Sequence, residues 1–354
     1  MQKPTILVTG ATGKTGSATI AQLLAKGYPV RALVQRVDAR SEALRERGAE
    51  IAVGSLEDIT DLRAAMAGIQ RAYFCPPLEP GTLRRATLFA AAAQAARLEV
   101  VVVLSQWLAD PHHPATHSRE KWLSNKVFEW APELDVITVN PGFFADSYMA
   151  ALEPMAHFGL MGMPLGNGLN APPSNEDIAR VVVGVLTNPA PHIGKSYRPT
   201  GPRLLSPEDI AAAIGKALGR KVAYQDVPTK LLFQVAKSLG ISEFVIEELS
   251  YFLKDYQRNS FGLGAPTDAV QEVAGVAPEP FEEIALRYVA MSGFGQRTFR
   301  SNLTAVHNLV AGLLTSAPTP AEIARRLKLP TLNHPMLAAD SARWRTAHVP
   351  DGAV

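Results

Sequence analysis

Thr9-Gly10-Ala11-Thr12-Gly13-Lys14-Thr15-Gly16 is the stretch on which the fold turns. The run leading into it, Thr5-Ile6-Leu7-Val8, is apolar and too short for a helix, so it reads as a strand. Residues 17–26 follow with Ile20, Leu23 and Leu24 at helical spacing and Gly27 where a C-terminal cap belongs. Three glycines three residues apart, between a strand and a helix, let a dinucleotide pyrophosphate approach bare main chain where a Cβ would obstruct it. The first N–H groups of the helix and the positive end of its dipole then face the phosphates. A Walker loop is excluded, because the spacing to Lys14-Thr15 is wrong and Gly16 follows them.

Outward from this loop, strand-type runs recur at 30–34, 50–53, 71–74, 100–104 and 136–139. Helix-type segments lie between them, around 41–47, 61–67, 82–97 and 118–130. The 100–104 run is almost pure valine, the mark of a strand covered on both faces. Such alternation predicts right-handed βαβ crossovers and an α/β fold with a Rossmann-type, doubly wound parallel sheet. Ser174-Asn175-Glu176-Asp177 opens a helix to 186, and a strand-like segment covers 195–199. Ser206-Pro207-Glu208-Asp209 and Thr319-Pro320-Ala321-Glu322 read as capping boxes with Pro at the first helical position. From Thr229 onward the signals are almost all helical. The expected division is a dinucleotide-binding domain over 1–150, to which 176–200 returns, and a smaller, mostly helical C-terminal substrate-side region over 151–175 and 201–354.

Composition narrows the function. Of 354 residues, 35 are Lys or Arg and 33 Asp or Glu, a net charge of +2 that leaves no basic footprint for nucleic acid or an anionic membrane. Hydrophobic residues are 47% and charged residues 19%, enough apolar material for a large core. No apolar run approaches the roughly 18–20 residues of a membrane span. Met1-Gln2-Lys3-Pro4 leads straight into a strand without a signal-peptide core, so a cytoplasmic protein is expected. Cys75 is the sole cysteine, which excludes an intrachain disulfide and a cysteine metal cluster and suggests a packed small residue. Asp110, His112, His113 and His117, broken by Pro111 and Pro114, match no metal-ligand spacing and read as loop residues, so no metal is expected. An oligomer is compatible with all of this.

The end of the second strand selects the coenzyme. An acidic residue there receives the ribose hydroxyls of NAD, and a basic one pairs with the 2′-phosphate of NADP. The chain has Gln35, then Arg36 and Arg40, which favours NADPH while leaving NADH possible.

The loop at 9–16, the strand at 30–36, Gly54-Ser55-Leu56-Glu57-Asp58 and Asn140-Pro141-Gly142-Phe143-Phe144 together resemble the NmrA-like, atypical short-chain dehydrogenase/reductase family. Glu176-Asp177-Ile178-Ala179 and Gly194-Lys195-Ser196-Tyr197 extend the resemblance, which spans roughly residues 5–228. Where the family pattern has Arg, this chain has Gln35, so Arg36 substitutes; Ser55 stands where Asp is frequent. The family includes NADPH-dependent quinone and azo-dye reductases, plant phenylpropanoid reductases and catalytically silent redox-sensing regulators. The resemblance implies that Gly10, Thr12, Gly13, Lys14, Thr15 and Gly16 hold the pyrophosphate and that Gln35 and Arg36 meet the ribose end. It implies further that Ser55 and Leu56 flank the adenine, Cys75 and Pro76 wall the coenzyme, and Pro141, Gly142 and Phe143 border the nicotinamide.

Typical short-chain reductases place Ser at the end of the fifth strand and Tyr-x-x-x-Lys on the next helix. Here Ser105 ends the valine run, and His117-Ser118-Arg119-Glu120-Lys121 keeps the frame with His in place of Tyr. Residues four apart share a helical face. Hydride delivery leaves negative charge on the acceptor, so His117 is expected as acid, Lys121 as its electrostatic partner or ribose ligand, and Ser105 as an orienting group. The expected substrate is small and hydrophobic, aromatic compounds included. Phe143, Phe144, Tyr148, Met149, Met155, Phe158, Met161 and Met163 either line its pocket or form core. Ala305, Leu309, Val310, Leu313 and Leu314 suggest a helix face that packs internally. The expected activity is hydride transfer from NADPH to a carbonyl, quinone or related acceptor. The alternatives are a silent NADP(H) sensor and an epimerase or dehydratase that retains its coenzyme.

Overall fold

A computed structural model of the chain describes residues 3–293 and 310–349. Seven strands run in parallel: β1 (Ile6–Val8), β2 (Val30–Val34), β3 (Glu50–Val53), β4 (Arg71–Phe74), β5 (Val100–Leu104), β6 (Asp135–Val139) and β8 (Ser196–Tyr197). Their order, β3-β2-β1-β4-β5-β6-β8, reverses direction between β1 and β4. That reversal is the switch point of a doubly wound sheet, and it opens a crevice at the carboxyl ends of the strands.

Side chains alternate across the pleat with period two, so each central strand feeds two cores. Ile6, Val8, Val100 and Val102 join one cluster with Ile20 and Leu23 of α1 (Lys14–Ala25) and Ile178, Val181, Val182 and Val185 of α8 (Asn175–Thr187). Leu7, Val101 and Val103 join the opposite cluster with residues of α3 (Ile59–Met66), α4 (Thr82–Ala95) and α5 (Thr116–Glu129). Two helical layers therefore bury the valine strand on both faces. The edge strand β8 is shorter than its sequence suggests, ending at Tyr197, and β6 begins one residue earlier, at Asp135.

A third core belongs to the helical region. It runs from Trp107 and Phe143 through Tyr148, Met155, Met161, Ile210, Ile246, Tyr256, Phe281 and Ile284 to Trp344. Its elements include α6 (Ala145–Met149), α9 (Pro207–Ala217), α10 (Thr229–Ser238), α11 (Glu243–Gln257), α13 (Phe281–Ser292) and a last helix, Ala342–His348. A small parallel pair, β7 (Leu160–Gly162) and β9 (Ala223–Gln225), lies beside it. Most of the aromatic and methionine stretch at 143–163 is thus core rather than lining, although Phe158 is exposed and Phe144 half-buried. Ser206 with Asp209, and Thr319 with Glu322, form the expected capping boxes.

One expectation is corrected. Val310, Leu313 and Leu314 are exposed, Leu314 at 83%. Their helix turns its small residue inward instead: Gly312 is buried, and a Cβ there would come within 2.8 Å of Val235 Cγ2. Ala305 and Leu309 lie outside the described residues. Among the described residues no helix is long and apolar enough to cross a membrane.

Candidate active site

The glycine loop closes the crevice at the tip of β1. Gly10 has φ +57°, and a Cβ there would stand 2.3 Å from the Cys75 carbonyl oxygen. The backbone is therefore left-handed and pressed against the tip of β4, which only glycine tolerates without strain. Thr9 Oγ completes the clamp by accepting the Cys75 N–H at 2.8 Å. Gly13 differs, for a Cβ there would meet only the Gly10 carbonyl at 3.1 Å, so its outer side is open. Gly13 is also the N-cap of α1 and offers no side-chain cap, and the first turn holds no acidic residue. Free N–H groups and an uncompensated dipole end at the switch point form a cradle that suits a dinucleotide pyrophosphate.

The side chains of the loop are employed elsewhere. Lys14 Nζ pairs with Asp146 Oδ2 of α6 at 2.6 Å, and Thr15 Oγ1 donates to Asn175 Oδ1 of α8 at 2.9 Å. Thr12 is half-buried in the loop. Gln35 and Arg36 are exposed beyond β2. Sequence reasoning missed Asp38, which caps α2 (Ala39–Glu46) and is paired with Arg40 at 2.7 Å. Arg40 is thereby occupied, and its hydrogen bond is the largest effect holding the Asp38 carboxyl below its ordinary range. Ser55 N–H donates to Asp61 Oδ2 at 2.8 Å, while Leu56 is buried in the core shared by Leu33 and Phe74.

Past β4, Cys75 is half-buried and Pro76 buried. Burial pushes the Cys75 thiol up, against the pull of Lys121. After β6, Trp107 N–H donates to the Pro141 carbonyl at 3.0 Å, and a Cβ on Gly142 would touch Phe261 and Trp107. The Phe143 ring packs edge-on against Tyr148 and Tyr256, with centroids 5.2 and 5.5 Å apart, so it belongs to the helical core.

Ser105, His117 and Lys121 all turn inward at the tips of β4 and β5. Lys121 Nζ donates to the Leu104 carbonyl at 2.7 Å. Burial brings its ammonium down to about 8, opposed by Cys75 and by Glu248 of α11. Ser105 Oγ accepts from Asn125 Nδ2 at 2.8 Å. His117, Lys121 and Asn125 therefore fall on one row of α5. The His117 ring lies edge-on to Phe244 at 6.1 Å, with Nδ1 3.2 Å from Thr82 Oγ1. Burial first, then Lys121 and Arg85, pull its pKa well below the ordinary value. At neutral pH this imidazole is uncharged, so it offers a hydrogen bond rather than the imidazolium proton the sequence suggested.

Asp110, His112 and His113 are held by contacts of the loop before α5 and its neighbours. His113 Nε2 lies 2.9 Å from Asp255 Oδ2, and Asp110 receives the His112 N–H and the Ser341 hydroxyl. Among the described residues no group of three or more His, Cys, Asp and Glu is placed to hold a metal ion.

Two further contributors escaped the sequence reading. α11 lays Glu247 and Glu248 against the start of α5, each almost wholly buried. The segment ending in the last helix straps the loop between β5 and α5. Met336 N–H donates to the His112 carbonyl at 2.8 Å, and Trp344 Nε1 donates to the Trp107 carbonyl at 2.8 Å. Adjacent acids on an amphipathic helix read as a solvent face, and nothing local announces the strap.

Comparison with known proteins agrees with this geometry. The model of the NmrA-like family matches residues 2–263. An NAD(P)H azoreductase of Xenophilus azovorans is 31% identical over 293 residues, covering 81% of this chain and 99% of its own length. The triphenylmethane reductase of Citrobacter sp., solved with NADP(H), matches with a TM-score of 0.70 at 19% identity, over 80% of this chain and 99% of that one. NmrA, a negative transcriptional regulator solved with NADP, gives 0.70 at 18%, over 82% and 97%. At such low identity the solved structures speak for the fold alone. The family match runs through the stretch that builds the bare glycine cradle at the switch point, and this chain belongs to the NmrA-like family.

Proposed function

We propose that the protein is an NAD(P)H-dependent reductase of hydrophobic, aromatic acceptors such as quinones, azo compounds or carbonyls. One observation carries this reading: the uncapped N-terminus of α1 and the buried Lys121 lie at the neighbouring tips of β1, β4 and β5. The main chain at Gly10, Thr12, Gly13, Lys14, Thr15 and Gly16 would hold the pyrophosphate, with Gln35 and Arg36 at the ribose, Ser55 and Leu56 at the adenine and Cys75 and Pro76 along the wall. Pro141, Gly142 and Phe143 would border the nicotinamide through their backbone. When bound, the reduced coenzyme supplies a hydride. Lys121, largely protonated at neutral pH, holds positive charge beside the negative charge that develops on the acceptor. Ser105, fixed by Asn125, orients the acceptor, and neutral His117 supports it with a hydrogen bond. The coenzyme and the lone thiol suit a reducing, cytoplasmic setting.

A second reading, a redox sensor without turnover, draws on His117 standing where a tyrosine acid is usual and on the likeness to the regulator. Oxidation of NADPH, followed by absorbance with a panel of quinones, azo dyes and aldehydes, separates the two. Turnover with at least one acceptor is expected. No turnover, together with binding that discriminates oxidised from reduced coenzyme, would replace the reductase by the sensor.

A further inference from the structure

We propose that Glu248 is the group that protonates the acceptor, contributed from the helical region to the site built by the sheet. The inference rests on the reductase reading and names its missing proton.

Glu248 is 3% exposed and sits on α11 where that helix crosses α5. Ser118 Oγ donates to its Oε1 at 2.8 Å, which fixes the carboxyl in one orientation. Its Oε2 is buried with no hydrogen-bond partner among the described residues. A buried polar oxygen left unpaired is uncommon in a folded protein, and a ligand group that reached it would satisfy it. The groups that act on this carboxyl come from three elements. Lys121 and Ser118 approach from α5, His113 and Gln106 from the loop before it, and Glu247 adjoins it on α11. Burial outweighs His113 and the hydrogen bonds, and raises the Glu248 carboxyl above its ordinary range. Cys75, on the coenzyme wall, and Glu248 both favour the charged form of Lys121, so the ammonium is near each of them.

This arrangement moves the proton donor from His117 to Glu248. Hydride adds to one atom of the acceptor double bond, and the bonding electron pair moves to the other. That atom takes the proton of Glu248 while the Lys121 ammonium moderates its charge. The oxidised coenzyme and the Glu248 carboxylate remain, and the carboxylate recovers a proton from water. The balance is one reduced coenzyme and one proton consumed per acceptor reduced.

The test uses the full chain saturated with NADP⁺ and 4-nitrophenol, an unreactive analogue of a reduced acceptor. Infrared difference spectroscopy should reveal a protonated-carboxyl stretch that shifts when the phenol binds and is absent from Glu248→Gln. Because Glu247 carries a second protonated acid, Glu247→Gln leaves the Glu248 band alone and keeps the assignment open should Glu248→Gln fail to fold. In turnover, Glu248→Gln should lose about 100-fold in kcat with a carbonyl acceptor while NADPH affinity stays within about twofold. A band indifferent to the phenol, or an unchanged kcat in Glu248→Gln, overturns the proposal. Absence of NADPH oxidation by the unaltered protein would instead overturn the reductase reading, and the infrared shift is read without it.

Discussion

The glycine loop and the buried cluster around Lys121 and Glu248 are built on opposite principles. The loop is eight consecutive residues working through main chain, with Lys14 and Thr15 using their side chains to hold other helices. The cluster works through side chains whose properties come from burial, with α11 packed on α5 and the strap from Met336 to the last helix holding the loop before α5. Anion binding by backbone is local and indifferent to most side chains. Proton chemistry needs a low dielectric, which only distant segments packed over the site create.

If the strap holds the cluster, damage to it should fall on one region and spare the other. Trp344 is 2% exposed and stacks on His348 with centroids 3.9 Å apart. Trp344→Ala should lower unfolding stability by about 3–5 kcal/mol in a denaturant titration. Turnover should fall at least about tenfold through the loosened loop between β5 and α5, with coenzyme affinity within a fewfold of the parent. Equal losses in both would mean that the two regions are one.

Within the loop, two glycines should fail in different ways. Gly10→Ala forces a side chain into a left-handed position against Cys75, and a loss of about 3 kcal/mol is expected from thermal denaturation. Gly13→Leu meets only the Gly10 carbonyl, at 3.1 Å, and has no left-handed backbone to strain, so it should cost no more than about 1 kcal/mol of stability. Calorimetry should show its affinity for NADPH reduced by about 100-fold, because the side chain occupies the path of the pyrophosphate. Matching stability losses in the pair would show that Gly13 serves packing.

Lys121 sharpens the contrast through pH. Its ammonium is brought from an ordinary 10.5 to about 8, so between those values the unfolded chain binds more protons and stability rises with pH. Below about 8 the folded protein carries the full penalty. Lys121→Met should therefore be more stable than the parent at pH 7, by on the order of 1–3 kcal/mol, with the gain shrinking toward pH 10. The same variant should lose about 100-fold in kcat, and parent turnover should fall as pH passes above about 8. Scanning calorimetry at pH 7 and 10 checks the first expectation, and a kcat profile the second.

What was legible follows the same division. The loop, the valine strand and the caps at Ser206 and Thr319 announce themselves because sequence neighbours make them. The four-residue spacing of His117 and Lys121 places both on one inward row, but the burial that lowers the His117 pKa comes from packing that includes Phe244 of α11, which spacing does not announce. Glu247 and Glu248 are not announced by spacing, because burial is what raises both carboxyls above their ordinary range. The apolar set at Val310, Leu313 and Leu314 misled for a related reason: Gly312 fits closer to Val235 than any leucine would, and the small face won.

The smallest expected effect lies at the coenzyme's far end. Two guanidiniums follow β2, but Arg40 is spent on Asp38, while Arg36 is exposed and has no ion-pair partner among the described residues. Arg36 is thus the one free to meet a 2′-phosphate, and the local pairing of Asp38 removes the repulsion an acid there would otherwise exert. An exposed charge-assisted contact is worth about 1–1.5 kcal/mol, so Arg36→Ala should weaken NADPH binding by about tenfold and NADH binding by less than about twofold. Stability should move by less than about 0.5 kcal/mol, since the side chain touches nothing that folding requires. The NADPH advantage should also shrink with added salt in the parent and be flat in the variant. Arg40→Ala provides the contrary arm: were it, rather than Arg36→Ala, to erase the preference, the phosphate would be read at the helix cap and Asp38 would be the residue setting coenzyme choice.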